Sequence, residues 1–366
     1  MQTYNQTRFV YQHTMGMDPA GREYLSLVVR GTFDFPDEPG AVPQPSKEQR
    51  PLVMADEQTG EPGFSATLWE TDFAFRKPHA EVIAQGVAYA PDGKPAERVR
   101  VGIKVGDWLK QFDVLGYREW RNAGVAIVPT QPVPFTRAPF GYDTAFGGPD
   151  RLDPDDPQPS VYLANPVGRG FATPRNQDRI NGLALPNTQA VGQEIRSPYE
   201  EYTPMALGPV GRGWPERIKY GGTYDDNWTD NIFPFLPPDF DDRYYQSTLP
   251  DQWIASPQTG TEVMIANMTH KGLERFRLPE TTLPLTIFRG RDKCFEESVT
   301  ADTLIFDCEA RVFSMVWRAE VRIRRHMTEF TECWVGPPTD AMLRAIAAGR
   351  GYIRAAGVAV PEDEDV

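Results

Sequence analysis

The clearest periodicity in the chain lies at residues 312–323. Phe313, Met315, Trp317, Ala319, Val321 and Ile323 take every second position, while Ser314, Arg318, Glu320 and Arg322 fall between them. A period of two is that of a β-strand with one buried face, and a register slip of one residue would turn four polar side chains into the core. Residues 304–306, followed by turn chemistry at 307–310, predict a hairpin partner just upstream. The same alternation at 24–33 sets Leu25, Leu27, Val29, Gly31 and Phe33 against Tyr24, Ser26, Arg30 and Thr32, which predicts a half-buried strand. At 98–105, Val99, Val101, Ile103 and Val105 point inward and Arg98, Arg100 and Lys104 outward, and Gly106-Asp107 turns the chain into 108–115 as a hairpin. Further strands are predicted at 80–90, ended by Pro91-Asp92-Gly93, and at 261–268.

The pattern therefore predicts a mainly β fold of antiparallel sheets, sandwich or meander-like. A helical spacing occurs once, after Gly336-Pro337-Pro338: Thr339 is its N-cap, Asp340 suits the helix dipole, and Met342, Ile346, Gly349 and Ile353 share a face up to about Gly357. The acidic tail 361–366 is expected to fray. Elsewhere periodicity fails. Residues 34–63 read as an exposed loop, 129–205 carry a proline every few positions, and 208–253 have neither helix nor strand period. Ten of the 46 residues from 208 to 253 are Phe, Tyr or Trp, against 11% for the chain. Rings in that density do not stay in water, since each buries roughly 150–250 Å² of surface. The segment is predicted to be a long ordered loop held on a scaffold made elsewhere. A single domain over 1–366 results, with a β-rich part at 1–128, an irregular aromatic, Pro and Gly-rich region at 129–259, a second β part at 260–336, and a helix with an acidic tail at 337–366.

Composition agrees with this organisation. With 35 Pro and 31 Gly among 366 residues, turns take an unusual share of the chain. A net charge of −13 argues against nucleic acid or an anionic membrane as partner. Three cysteines, Cys294, Cys308 and Cys333, without a CxxC pair, fit a reducing compartment. The first residues lack a basic and apolar leader, and no apolar run approaches 18 residues, so a cytoplasmic location is expected.

Candidate chemistry is sparse. The four histidines, His13, His79, His270 and His326, are scattered, and no GxSxG occurs. Gly208-Pro-Val-Gly-Arg-Gly213 lacks the preceding strand and following long helix of a phosphate loop. Asp225, Asp226, Asp239, Asp241, Asp242 and Asp251 lie among rings, as the paired carboxylates of sugar-cleaving sites do. Asp153, Asp155 and Asp156 form a run with the composition of a calcium loop but without its glycine and terminal Glu. Turn capping is the plainer reading of both sets. No catalytic, cofactor-binding or metal-ligating residue is assigned, and no cofactor is expected. The candidates for protein contact are Trp214, Tyr220, Tyr224, Trp228, Phe240, Arg243 and Trp253. Most rings are expected in the core, with Trp214, Trp228 and Arg243 at an exposed edge.

The run Gly208-Pro-Val-Gly-Arg-Gly-Trp214, then Tyr220-Gly-Gly-Thr-Tyr-Asp225, Trp228, Leu236-Pro-Pro-Asp-Phe-Asp241, Arg243 and Asp251-Gln252, resembles the signature region of the domain-of-unknown-function 2169 family. Asn165-Pro-Val-Gly-Arg-Gly-Phe171 and Leu185-Pro-Asn187 resemble the block preceding it, and the hairpin with Lys110 and Val316-Trp-Arg-Ala319 also fit. Tyr117-Arg-Glu-Trp120 departs slightly from the pattern. Members are encoded beside type VI secretion components. The resemblance implies a cytoplasmic adaptor or chaperone that stabilises an effector and loads it onto the VgrG spike and its PAAR tip. It brings no catalytic residues. A basic toxin domain would complement the negative charge. Two alternatives stand beside it: a carbohydrate-active or calcium-dependent enzyme using the carboxylates from Asp225 to Asp251, and a structural component of the spike.

Overall fold

The computed structural model describes residues 1–348. Among these, three main sheets carry the fold. The six-stranded sheet runs Trp253–Ile254, Ala80–Gln85, Thr303–Asp307, Val312–Arg322, Glu23–Asp34, Val10–Met17 in spatial order. A five-stranded sheet runs Thr188–Ala190, Trp108–Leu115, Arg98–Val105, Glu262–Ala266, Leu273–Arg277. The four-stranded sheet is Gln2–Asn5, Phe330–Val335, Thr282–Arg289, Asp292–Thr300. Their apolar faces meet in one core, in which Phe313, Met315 and Trp317 of the first sheet join Ile103 and Phe276 of the second and Ile287 and Phe330 of the third. Phe313 stacks on Phe33 at 5.2 Å and on Phe276 at 5.4 Å, so rings bridge the layers as well as neighbouring strands.

The strands at 24–33, 98–115, 304–306 and 312–323 form as the alternation predicts, in antiparallel register. Not every pair is antiparallel: Ala80–Gln85 lies parallel to Thr303–Asp307, and Gln2–Asn5 parallel to Phe330–Val335. The stretch 80–90 breaks at Gly86 into two short strands, the second pairing with Arg137–Pro139. Unpredicted are the hairpin Thr282–Arg289 with Asp292–Thr300 and the strand Phe330–Val335; Pro284 and the acidic run around Glu296 mask the first. Thr339 caps the helix Asp340–Ala347 by accepting the Met342 amide at 3.2 Å. Its expected extension through Gly349 and Ile353 to Gly357, and the tail 361–366, lie outside the described residues.

One expectation fails in an informative way. Glu23–Asp34 is buried on both faces: Ser26, Val28, Arg30 and Thr32 are as inaccessible as Leu25 and Leu27. Residues 46–78 cover the outer face of the six-stranded sheet, with Leu52, Trp69 and Phe73 on Val28, Ile83, Ile305 and Val316. The loop expected to be exposed at 34–63 is mostly so, Met54 included, but Leu52 in its middle packs against the sheet as part of the cover. Under it, Arg30 meets Asp72 at 3.0 Å with both side chains buried, and Asp72 also accepts the Val53 amide at 2.8 Å. Beyond the end of the Val10–Met17 strand, the Gln49 side chain completes the ladder, accepting from Thr32 N at 2.8 Å and donating to Thr32 O at 2.9 Å. Residues 129–205 are ordered as expected and pack a second core of Phe146, Ile180, Leu185 and Tyr202 around Trp120 of the preceding strand Trp120–Asn122. Buried Asn165 ties them together, its amide donating to the carbonyls of Tyr142 at 2.8 Å and Phe146 at 3.0 Å.

Candidate protein-docking surface

Residues 208–253 continue the cover over the same sheet, and their two ends are fixed differently from their middle. The C-terminal end closes on Glu81, a fully buried carboxylate on the Ala80–Gln85 strand. Its oxygens accept from Gln246 Nε2 at 3.1 Å, Ser247 N at 3.0 Å, and Thr248 N and Oγ1 at 3.1 and 2.9 Å, and from the Ser247 hydroxyl and the buried Lys77 ammonium. Burial works against ionising Glu81, but Lys77 and these donors outweigh it and hold the carboxyl below the ordinary range. Next along the chain, Gln252 donates to Val82 O at 2.8 Å and Leu207 O at 3.0 Å and accepts from buried Lys110 at 3.0 Å. Lys110 also meets Asp251 at 2.7 Å; its burial nonetheless pulls its pKa down.

The N-terminal end is fixed by Arg217, on the short helix Pro215–Ile218 that Pro215 opens at its first turn. The guanidinium grips Glu70 through two nitrogens at 2.6 and 2.5 Å and donates to Val210 O at 3.0 Å and Tyr244 O at 2.9 Å. Both Arg217 and Glu70 are buried, so this fork is a charge-assisted clamp inside the cover. Arg76 adds an outer tie, bridging Asp242 at 3.3 Å and Glu320 at 2.7 Å.

Between these clamps, residues 218–245 are mostly exposed. Asp225 caps the helix Asp226–Asn231 by accepting the Trp228 amide at 2.8 Å, and Asp241 caps the next turn through Arg243 N at 2.9 Å. Gly222 has φ +84°, and a Cβ there would stand 2.9 Å from Pro237 Cβ, so glycine is required where the chain folds back on itself. The result is a groove of about 370 Å³ lined by Ile218, Tyr224, Leu236, Phe240, Tyr244 and Tyr245. A row of rings leads from it: Tyr224 meets Trp228 edge-on at 4.7 Å, and Trp228 meets Phe233 at 5.5 Å. Ile218, Tyr224 and Phe233 are 54%, 55% and 66% exposed. Contiguous apolar surface of that kind marks an interaction site.

The candidates from sequence divide into three groups. Tyr224 and Phe240 line the groove and half-buried Trp228 adjoins it. Tyr220, Arg243 and Trp253 form a second row: Arg243 lies 4.3 Å over the Tyr220 ring while paired with Asp241, and Trp253 stacks on His79 at 4.9 Å. Trp214 overturns the expectation of an exposed edge. It is 5% exposed, edge-on to Tyr142 at 5.0 Å among Ala66 and Val210, because the indole folds back over Gly211, where a Cβ would stand 3.0 Å from its Cδ1. Ile218, Phe233, Leu236 and Tyr244 also shape the surface; the clustering of rings and aliphatics around Gly221-Gly222 and Pro237-Pro238 was the available signal.

Of the six aspartates singled out between Asp225 and Asp251, all but Asp226 are engaged in loop closure. Asp239 accepts from Thr223 N at 3.0 Å and Oγ1 at 2.7 Å, Asp242 pairs with Arg76, and Asp251 with Lys110. Of the run at 153–156, Asp153 meets Arg179 at 2.6 Å and Asp156 pairs with Arg175. Among the described residues, no group of three or more His, Cys, Asp or Glu converges as metal ligands, and no helix is long and apolar enough to cross a membrane.

No curated protein and no solved structure matches the chain. Residues 20–318, which hold the five-stranded sheet, most of the six-stranded sheet, the cover and the groove, match a family described as an uncharacterized protein conserved in bacteria, and the chain belongs to that family, DUF2169.

Proposed function

We propose that the protein is a non-enzymatic cytoplasmic adaptor that binds and stabilises a type VI secretion effector and promotes its loading onto the VgrG spike and PAAR tip. The observation that carries this reading is the exposed row of rings beside the groove, held at both ends by buried ionic clamps. Preorganised aromatic surface is what an interface uses for its strongest contacts, and a stable one needs roughly 1,200–2,000 Å² in total. Of the six carboxylates that a hydrolytic reading would use, all but Asp226 serve turns and cations instead. Co-expression with the effector encoded beside it tests the proposal: the two should co-purify, and deleting this chain should lower the effector's abundance or export. An effector that is stable and exported normally without it would refute the adaptor, and appearance of this chain in culture supernatant would favour a spike component.

A further inference from the structure

We infer that the groove between Ile218, Tyr224, Leu236 and Phe240 receives a short segment of a partner protein carrying an aromatic or aliphatic anchor flanked by lysine or arginine. The floor is apolar and the space, about 370 Å³, falls in the range that takes a small ligand or a side chain or two. Contact surface does not stop at the groove, because Tyr224, Trp228 and Phe233 extend it as a track. An elongated chain fits a track where a compact small molecule would fill only the floor. The chemistry of the flanks follows from the rim. Asp225 and Asp239 adjoin the groove residues Tyr224 and Phe240, Asp226 and Asp230 share the helix of Trp228, all four are exposed, and among the described residues Asp226 and Asp230 have no ion pair. The nearby cations are committed, Lys219 to Glu216 and Arg243 to Asp241. A second copy of this chain, itself at −13, would meet like charge, and so would nucleic acid.

The identity of the protein supplying the segment rests on the adaptor reading, whereas the chemistry of the segment does not. Fluorescence anisotropy on the full chain tests it, with a labelled peptide whose central Trp is flanked by Arg, the same peptide with a central Ala, and the same peptide with Glu flanks. The basic Trp peptide should bind, and both changes should weaken it about tenfold or more. Raising salt to about 0.5 M should weaken it several-fold. Tyr224→Ala, and Asp226→Lys with Asp230→Lys, should each reduce binding about tenfold without changing the melting temperature, since these side chains are exposed. Equal binding of the Glu-flanked peptide, no binding at all, or self-association that occludes the groove would overturn the inference. Two outcomes separate it from the adaptor proposal. Peptide binding that needs Tyr224, in a chain that leaves the effector uncaptured, sustains the groove and sinks the adaptor; an effector captured equally well by the Tyr224 and Asp variants does the reverse.

Discussion

Glu81→Gln leaves the side-chain volume almost unchanged but places an amide where Gln246, Ser247 and Thr248 all donate. It also strips the counterion from Lys77, whose side chain is 4% exposed. Breaking a buried pair by removing one partner costs about 3–5 kcal/mol. Lys77 keeps acceptors in Ser247 Oγ at 3.3 Å and Thr303 Oγ1 at 3.2 Å, which places the expected loss toward the lower end, about 3–4 kcal/mol. At about 2 °C per kcal/mol for a large chain, the melting temperature should fall by about 6–8 °C. Hydrogen exchange should rise first at 246–252, where the donors lose their acceptor. The pH dependence has a definite sign. The folded carboxyl lies below its ordinary value, so its stabilisation is complete above the unfolded pKa of about 4.3 and is lost as pH falls through the lower folded value. The Gln variant should lack that acid-side component. Replacing the pair together, Lys77→Met with Glu81→Leu, should not recover the loss, because the Ser247 and Thr248 amides would be left buried without an acceptor. A melting temperature within about 1 °C of the parent, with unchanged exchange at 246–252, would refute the claim that this carboxylate holds the segment down.

Arg217→Lys keeps the charge but loses the fork on Glu70, and should destabilise by about 1–3 kcal/mol in urea unfolding, whereas Arg243→Lys, at an exposed pair, should leave the midpoint unchanged. Gly222→Ala forces a left-handed alanine against Pro237 and should cost about 1–2 kcal/mol while weakening capture of the effector. Thiol titration at neutral pH should leave Cys308 and Cys333 unmodified in the native protein: burial pushes Cys333 up to about 12 and Cys308 higher still, and all three cysteines should react once denaturant is added.

Strands with one polar face were legible because their alternation is local. The alternating faces of Val312–Arg322 and of Glu23–Asp34 could be read from spacing, though not that the two strands pair. What local pattern could not show was that Ser26, Arg30 and Thr32 face a cover and not water. Polar residues under a cover look the same in sequence as polar residues in solvent, and only the positions of Asp72 and Gln49 distinguish them. The docking segment was found by its ring content, which is a property of composition. Which rings face outward was not, because that depends on what Arg217, Glu81 and Lys110 hold down: Trp214 went to the core, and Ile218 and Phe233 to the surface. The parallel pair of Ala80–Gln85 with Thr303–Asp307 joins parts of the chain more than 200 residues apart, beyond the reach of any turn signal.

The central strands of the six-stranded sheet bear on when the groove can exist during synthesis. Ala80–Gln85, which carries Glu81, has Thr303–Asp307 as its inner neighbour, and that strand joins Val312–Arg322, which closes on Glu23–Asp34. A ribosome delivers the ring-rich segment well before residues 303–322 emerge, so the floor on which it must settle is incomplete while it waits. On the adaptor reading, capture of a cargo then becomes a property of the finished polypeptide: a chain arrested near residue 300 holds every ring of the track and lacks the central strands of the sheet beneath them.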